Sequence, residues 1–215
     1  MLNKNEMDIL NKLEWRYAVK KFDPAKKLSA DQLEKLLAAT RLSASSYGLQ
    51  PYKILVVENP AVREQLKAVS NGQLQVTDAS HLIVFARYTD LNETHVDDYM
   101  NNVAETRNIA PEQLAGFSGV VKGTVNRLGA EGTAVWSAKQ AYLALGTLLT
   151  AAAVENIDAC PMEGFDAAGY NRVLGLTEKG LAAVVVAAIG FRAPDDVMQH
   201  ARKVRKPIAE LVEMI

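Results

Sequence analysis

Three separated stretches of this 215-residue chain carry cations or hydroxyls dense enough to do chemistry: Arg16-Tyr17-Ala18-Val19-Lys20-Lys21, Ser43-Ala44-Ser45-Ser46, and Lys203-Val204-Arg205. Brought together by a fold, they could hold a phosphate, because guanidinium and ammonium groups neutralise its charge while hydroxyls and free amides at a helix start donate to its oxygens. One lysine would be left over to face an electron-rich ring. A fourth stretch, Glu163-Gly164, sets a carboxylate in a turn beside a glycine, where backbone can come close to something flat. Taken singly, each feature has a structural reading. The serine-rich stretch 42–51 is an ordinary loop, the cations 202–206 are a solvated face, and His81, opening a strand after Asp78-Ala79-Ser80, is a satisfied structural group.

Composition removes several classes of function. Lys and Arg number 24 against 25 Asp and Glu, so no global field draws the chain to nucleic acid or to an anionic membrane. Any basic site must be local. The single cysteine, Cys160, cannot form an internal disulfide and offers no metal-ligand spacing. The N-terminal residues are studded with charge and do not read as a signal peptide, so cytoplasm is the expected compartment. There is no glycine-rich dinucleotide fingerprint, no phosphate-binding Gly-Lys-Ser/Thr loop, no Gly-x-Ser-x-Gly and no histidine pair at ligand spacing. Rossmann enzymes, NTPases, serine hydrolases and zinc enzymes therefore lose support, and no metal is expected.

The elements that must position these residues are organised around the stretch from Thr133 to Asp166. From Ala141 to Val154 nearly every residue is apolar, which predicts a helix buried on almost all sides, too short for the roughly 20 residues a bilayer needs. Its many small residues, Ala138, Ala141, Ala144, Gly146 and Ala151 to Ala153, favour close backbone contact with a second layer, expected from another copy of the chain. Ile157 to Pro161 reads as a brief extended piece, followed by a turn at 162–166 and a new short helix. Residues 3–14, with Met7, Ile9, Leu10 and Leu13, read as a short amphipathic helix, and Trp15 to Phe22 as an edge strand with solvated lysines. Ser29-Ala30-Asp31-Gln32 is a capping box that opens a helix to about Thr40. A strand Tyr52–Val57, a helix from Pro60 to Val69, a turn at 71–75, a strand His81–Phe85 and a strand Leu181–Ile189 buried on both faces follow in turn. Residues from about 90 to 128 read as a polar, irregularly helical lid or arm, and residues 195–215 as a tail crossing the body or a partner. All of this fits one domain spanning 1–215.

Taken in order, Arg16-Tyr17-Ala18-Val19-Lys20-Lys21-Phe22, Ser43-Ala44-Ser45-Ser46 with Gln50-Pro51, Thr77-Asp78-Ala79-Ser80-His81, Ala138-Lys139-Gln140, Pro161-Met162-Glu163-Gly164-Phe165-Asp166 and Lys203-Val204-Arg205 resemble the motif set of the oxygen-insensitive, FMN-dependent nitroreductases, including those described as dihydropteridine reductases. The resemblance covers nearly the whole chain. It implies an α+β fold, a mixed central sheet flanked by helices, with the long central helix at the interface of an intertwined homodimer holding two FMN sites.

Carried over residue by residue, the resemblance gives the FMN phosphate to Arg16, Lys203 and Arg205, with backbone contacts from Tyr17 and Ala18, and brings Lys20 to the pyrimidine edge of the flavin. It brings Ser45, with Ala44 and Ser46, from the opposite subunit, and lines the flavin ring with Pro161, Met162, Glu163 and Gly164. Gln73, then Asn71, are the flavin contacts from the turn at 71–75, Gln140 is a candidate on the central helix, and Tyr47 and Phe117 border the substrate slot. The implied reaction is ping-pong hydride transfer from NAD(P)H through the flavin to nitroaromatics, quinones or pterins, with no side chain acting as acid or base. Three places depart from the family pattern: Ala18 stands where a serine is frequent, the 71–75 turn has amides where the family often has a lysine, and Tyr47, Gly48 and Leu49 replace smaller polar residues beside the substrate slot. Two other classes stay open: a flavin-binding module with little turnover, and a structural dimer whose basic stretches are merely solvated.

Overall fold

A computed structural model describes residues 9–215. Four strands form one sheet in the order β1-β2-β4-β3, where β1 is Tyr52–Val57, β2 His81–Tyr88, β3 Asp158–Met162 and β4 Leu181–Gly190. Every named pair is antiparallel. The parallel component of the mixed sheet is a single bridge, Ala18 to Ala159, beyond the outer edge of β3.

The central strands β2 and β4 bury both faces, and alternation divides their side chains between two cores. Ile83, Phe85, Val185, Ala187 and Ile189 pack with Leu36, Ala141, Ala144, Leu145 and Leu148. Leu82, Val84, Val186 and Ala188 face the other way, toward Val19, Phe22, Leu66, Cys160 and Tyr170. Helices α2 (Ala30–Arg41) and α6 (Ala115–Val154) thus cover one face, and α3 (Pro60–Ala68), α4 (Gln75–Asp78) and α7 (Ala167–Leu174) belong to the other. A bulge between Phe85 and Ala86 shifts the β2–β4 register from Val185 to Ala183.

Several sequence expectations hold to the residue. β1 has the expected bounds, and the Ser29 hydroxyl and Gln32 amide form the reciprocal cap of α2. The expected helix at 3–14 corresponds to α1 (Ile9–Trp15) in its second half; its first half, with Met7, lies outside the described residues. Other expectations are corrected. The stretch Trp15 to Phe22 is not a strand: Trp15 closes α1, and Arg16 to Phe22 make only two isolated bridges, Ala18 to Ala159 and Phe22 to Arg192. Lys20 and Lys21 instead give their amides to the Asp196 carboxylate, 176 and 175 residues away in sequence, and Pro161 on β3 has no N–H to share.

The central helix is longer than expected, 40 residues, and breaks at Gly129, whose φ of 62° and ψ of −174° are not helical. Nor is its C-terminal half buried all round. Thr133, Ser137, Gln140, Ala141, Ala144, Leu145 and Leu148 face the body, while Val135, Tyr142 and Leu143 stay exposed on the opposite side. Residues 90–128 form a regular helical hairpin, α5 (Glu93–Arg107) against the first half of α6, with a core of Leu91, Val96, Met100, Val121 and Val125 that includes Leu49. The tail carries α8 (Ile208–Leu211), and residues 201–215 are exposed throughout. Among the described residues no helix is long and apolar enough to cross a membrane.

Candidate functional site

The N-terminal cations begin where α1 ends. Arg16 follows the last helical residue, its amide still donating to the Lys12 carbonyl at 3.1 Å. Its guanidinium Nε is buried without a hydrogen-bond partner. From the far end of the chain Lys203 returns to the same place, its ammonium donating to the carbonyls of Leu13, at 2.5 Å, and of Arg16. Burial and the charge of Arg205 lower the Arg16 pKa, and burial with Arg16 and Arg205 lowers that of Lys203, against a weaker pull from Glu14. Among the described residues none of Arg16, Lys20, Lys203 and Arg205 has an ion-pair partner. Together with Tyr17, Ala18 and Pro161 they line a cavity of about 560 Å³. Cations that destabilise one another, with an orphaned buried N–H among them, form a place whose missing component is an anion. The residues therefore fit a phosphorylated cofactor.

Two buried carboxylates fix this arrangement. Asp158, at the start of β3, is forked by Arg192, with Nη2 to Oδ1 at 2.5 Å and Nε to Oδ1 at 2.9 Å, and accepts the Arg192 amide at 2.7 Å. The same guanidinium lies 4.4 Å from the Trp15 ring centroid and 4.5 Å from that of Tyr17, so it orients the aromatic residues on either side of Arg16 in sequence. Asp196 accepts the Tyr17 hydroxyl at 3.0 Å and the amides of Lys20 and Lys21 at 2.9 and 3.2 Å. Burial and the bond to Asp196 push the Tyr17 hydroxyl well above its usual pKa.

A second group forms around the turn after β3. The Gly164 carbonyl accepts from Asn71 Nδ2 at 3.1 Å and Gln73 Nε2 at 2.8 Å, and Gln73 also donates to the Ser70 carbonyl. Both predicted turn amides thus brace Gly164. The Glu163 carboxylate accepts the Tyr142 hydroxyl at 2.5 Å; burial and this bond push the Tyr142 pKa up to about 12. The Met162 side chain is buried in the core, which leaves its backbone to face this turn.

A third group surrounds the 43–50 loop. Gln140 accepts the Ser46 amide at 2.7 Å and donates to the Trp136 carbonyl, so its amide is spent inside the chain and holds the loop. The Ser45 hydroxyl accepts the Gln50 amide, and Ala44 is exposed. Tyr47, with φ of 57°, puts its ring centroid 6.1 Å from Phe117 and 6.1 Å from Trp136, and its hydroxyl 3.2 Å from the Thr124 hydroxyl. Positions 140 and 142 project on opposite sides of a helix, about 200° apart. The 44–47 loop and the 163–164 turn accordingly meet different faces of α6, and neither lines the Arg16 cavity. His81 is a structural group, held between Ser80 and Glu58 at 2.9 Å each.

Sequence reasoning missed Trp15, Trp136, Tyr142, Asp158, Arg192 and Asp196. Asp158 left a signal: a carboxylate between Ile157 and Ala159, in a run bound for the core, requires a buried cation.

Comparison with known proteins adds the following. The model of the Nitroreductase family matches residues 13–191. YfkO of Bacillus subtilis, whose name includes the words NAD(P)H nitroreductase, is 34% identical over 218 residues, covering 96% of this chain and 97% of its own. Among solved structures, a nitroreductase family protein from Streptococcus pneumoniae superposes with a TM-score of 0.83 at 22% identity, over 97% of this chain and 100% of its own. A protein from Exiguobacterium sibiricum, described as a nitroreductase in complex with FMN, gives a TM-score of 0.82 at 19% identity over 97% and 98% of the two chains. These structures share the fold.

Proposed function

Since the chain belongs to the nitroreductase family, we propose that it is an FMN-dependent oxidoreductase, acting as a homodimer, that takes hydride from NAD(P)H and passes it to nitroaromatics, quinones or related small acceptors. The observation that carries this reading is the convergence of Arg16, Lys20, Lys203 and Arg205 on one cavity whose lining includes a single carboxylate, Glu14, with no ion pair to any of the four among the described residues. A flavin-bound relative of the same fold supports the choice of anion.

When bound, FMN supplies a redox centre that accepts hydride from the nicotinamide and gives it, in a ping-pong sequence, to an acceptor entering the same slot. The chain's part is to bind and to orient. Arg16, Lys203 and Arg205 hold the phosphate, with Tyr17 and Ala18 offering backbone. Lys20 presents a fixed ammonium that favours negative charge on the reduced ring through preorganised electrostatics. Pro161 to Gly164 form a wall held flat by Asn71 and Gln73. The exposed stripe Val135, Tyr142 and Leu143, with the exposed apolar tail residues Ile208 and Leu211, supports a second copy against α6. That copy would complete the site with its own Ser45 loop, which lies outside the Arg16 cavity of a single chain.

The test is direct. The purified protein is expected to be yellow, or to take up added FMN, and to oxidise NADH or NADPH when a quinone is supplied. A colourless preparation that does neither overturns the reading. Bound FMN that neither nicotinamide reduces would leave a flavin-binding module instead.

A further inference from the structure

The cations of the cavity come from two segments 180 residues apart in sequence, and one carboxylate meets both. Asp196 is 3% exposed, and its Oδ2 accepts the Tyr17 hydroxyl and the amides of Lys20 and Lys21. Its Oδ1 accepts the Met198 amide at 3.0 Å, capping the short 3₁₀ turn Val197–His200 that leads into Ala201 to Arg205. We infer that Asp196 is the positioning residue that joins the two halves of the phosphate cradle, so that docking of the C-terminal tail and binding of the FMN phosphate are one coupled event. The inference rests on the FMN reading above and deepens it.

Geometry distinguishes this role from plain structural support. Residues 21–23 and 191–193, which lead into the two segments, are also held together by backbone bonds independent of the carboxylate, Asp23 amide to Phe191 carbonyl at 2.8 Å and Ala193 amide to Lys21 carbonyl at 2.9 Å. Loss of Asp196 therefore leaves the segments paired and the sheet intact. What it removes is the fixed position of the Lys20 backbone, and the cap from which the tail turns back so that Lys203 reaches the Arg16 carbonyl. The carboxylate also places a negative charge against both segments, offsetting like-charge repulsion while no phosphate is bound. Burial raises its pKa, but the Lys20, Lys21 and Met198 amides and the Tyr17 hydroxyl outweigh this and hold it below the usual aspartate value, so it is charged at neutral pH.

The test measures FMN and riboflavin affinity by flavin fluorescence for the full-length wild type, Asp196→Ala, Asp196→Asn, Lys203→Ala and the Asp196→Ala/Lys203→Ala double variant. Losing a charge-assisted acceptor is expected to weaken FMN binding about 10- to 100-fold in Asp196→Ala. Riboflavin, which lacks the phosphate, is expected to change by less than about threefold, and Asp196→Asn to lose FMN affinity much as Asp196→Ala does, since an amide keeps one oxygen and turns an NH2 toward the donors of the other segment. The double variant is expected to bind FMN no worse than its weaker parent, because the two residues act through one docked tail. Equal loss of FMN and riboflavin, or additive losses in the double variant, overturns the inference while the FMN reading stands. Wild-type protein that binds neither flavin overturns both.

Discussion

The ammonium of Lys203 donates to the main-chain carbonyl of Arg16, bringing the two ends of the chain to one cavity wall. The charge of Arg16 lowers the Lys203 pKa, so the contact is held by the fold against electrostatic repulsion. Lys203→Ala is therefore expected to weaken FMN binding about 10- to 100-fold, the range for losing one charged hydrogen bond to a phosphate. Arg205→Ala is expected to cost less, since the Arg205 guanidinium bonds only its own neighbour Val204 and is free to adjust. Fluorescence titration with FMN checks both, and unchanged retention in both variants would support a merely solvated basic face.

The depressed Lys203 pKa sets a pH dependence. Without cofactor, its ammonium loses its proton at lower pH than the ordinary lysine value of 10.5, and a phosphate alongside restores it. Binding thus takes up a proton in that window, and FMN affinity falls as the pH rises toward 10.5. The cofactor-free fold changes with the opposite sign, because the unfolded chain holds more protons there, so this residue adds stability as pH rises. Titrations from pH 7 to pH 10 in wild type and Lys203→Ala test this; the alkaline fall should shrink in the variant.

Asp158 and Arg192 form a buried, forked ion pair whose guanidinium also meets the Trp15 and Tyr17 rings. Asp158→Ala leaves that cation buried and unpaired, which costs about 3–5 kcal/mol, or about 10 °C in Tm for a chain of this size. Thermal unfolding without FMN measures it. A shift under about 2 °C would mean that water replaces the carboxylate.

Tyr47, on a loop held in the left-handed region at Tyr47 and Gly48, makes an aromatic wall with Phe117 and Trp136 of α6. Tyr47→Ala removes the ring common to both contacts and is expected to raise KM for nitroaromatic acceptors about tenfold, with FMN affinity unchanged. Gly48→Ala is expected to be more disruptive, since φ is +78° and a Cβ would run into the Tyr99 hydroxyl. Steady-state kinetics with a nitroaromatic and a small quinone separate a specificity effect from a general loss.

Much of this molecule was legible where one residue's chemistry acts locally. The Ser29 cap and the β-branched run of β1 needed only their neighbours. The alternating cores of β2 and β4 follow from unbroken apolar runs. The segment from Trp15 to Phe22 misled because its cations alternate loosely with apolar residues as in an edge strand, while the acceptor for its Lys20 and Lys21 amides is Asp196, far along the chain. Gln140 carries the family motif, yet its amide holds the Ser46 loop, a pairing set by which face of α6 it occupies. The exposed stripe at Val135, Tyr142 and Leu143 could not be foreseen from apolar content alone, since a greasy helix looks the same in sequence whether one chain or two cover it.

The central claim is that cations from both ends of the chain hold a phosphate, and comparing FMN with riboflavin on the same cofactor-free protein tests it most directly. The account predicts that FMN binds at least about 100-fold more tightly, a difference of about 3 kcal/mol from several charge-assisted bonds, and that Lys203→Ala removes much of the gap. Equal affinity for the two flavins, or a gap indifferent to Lys203, would contradict it.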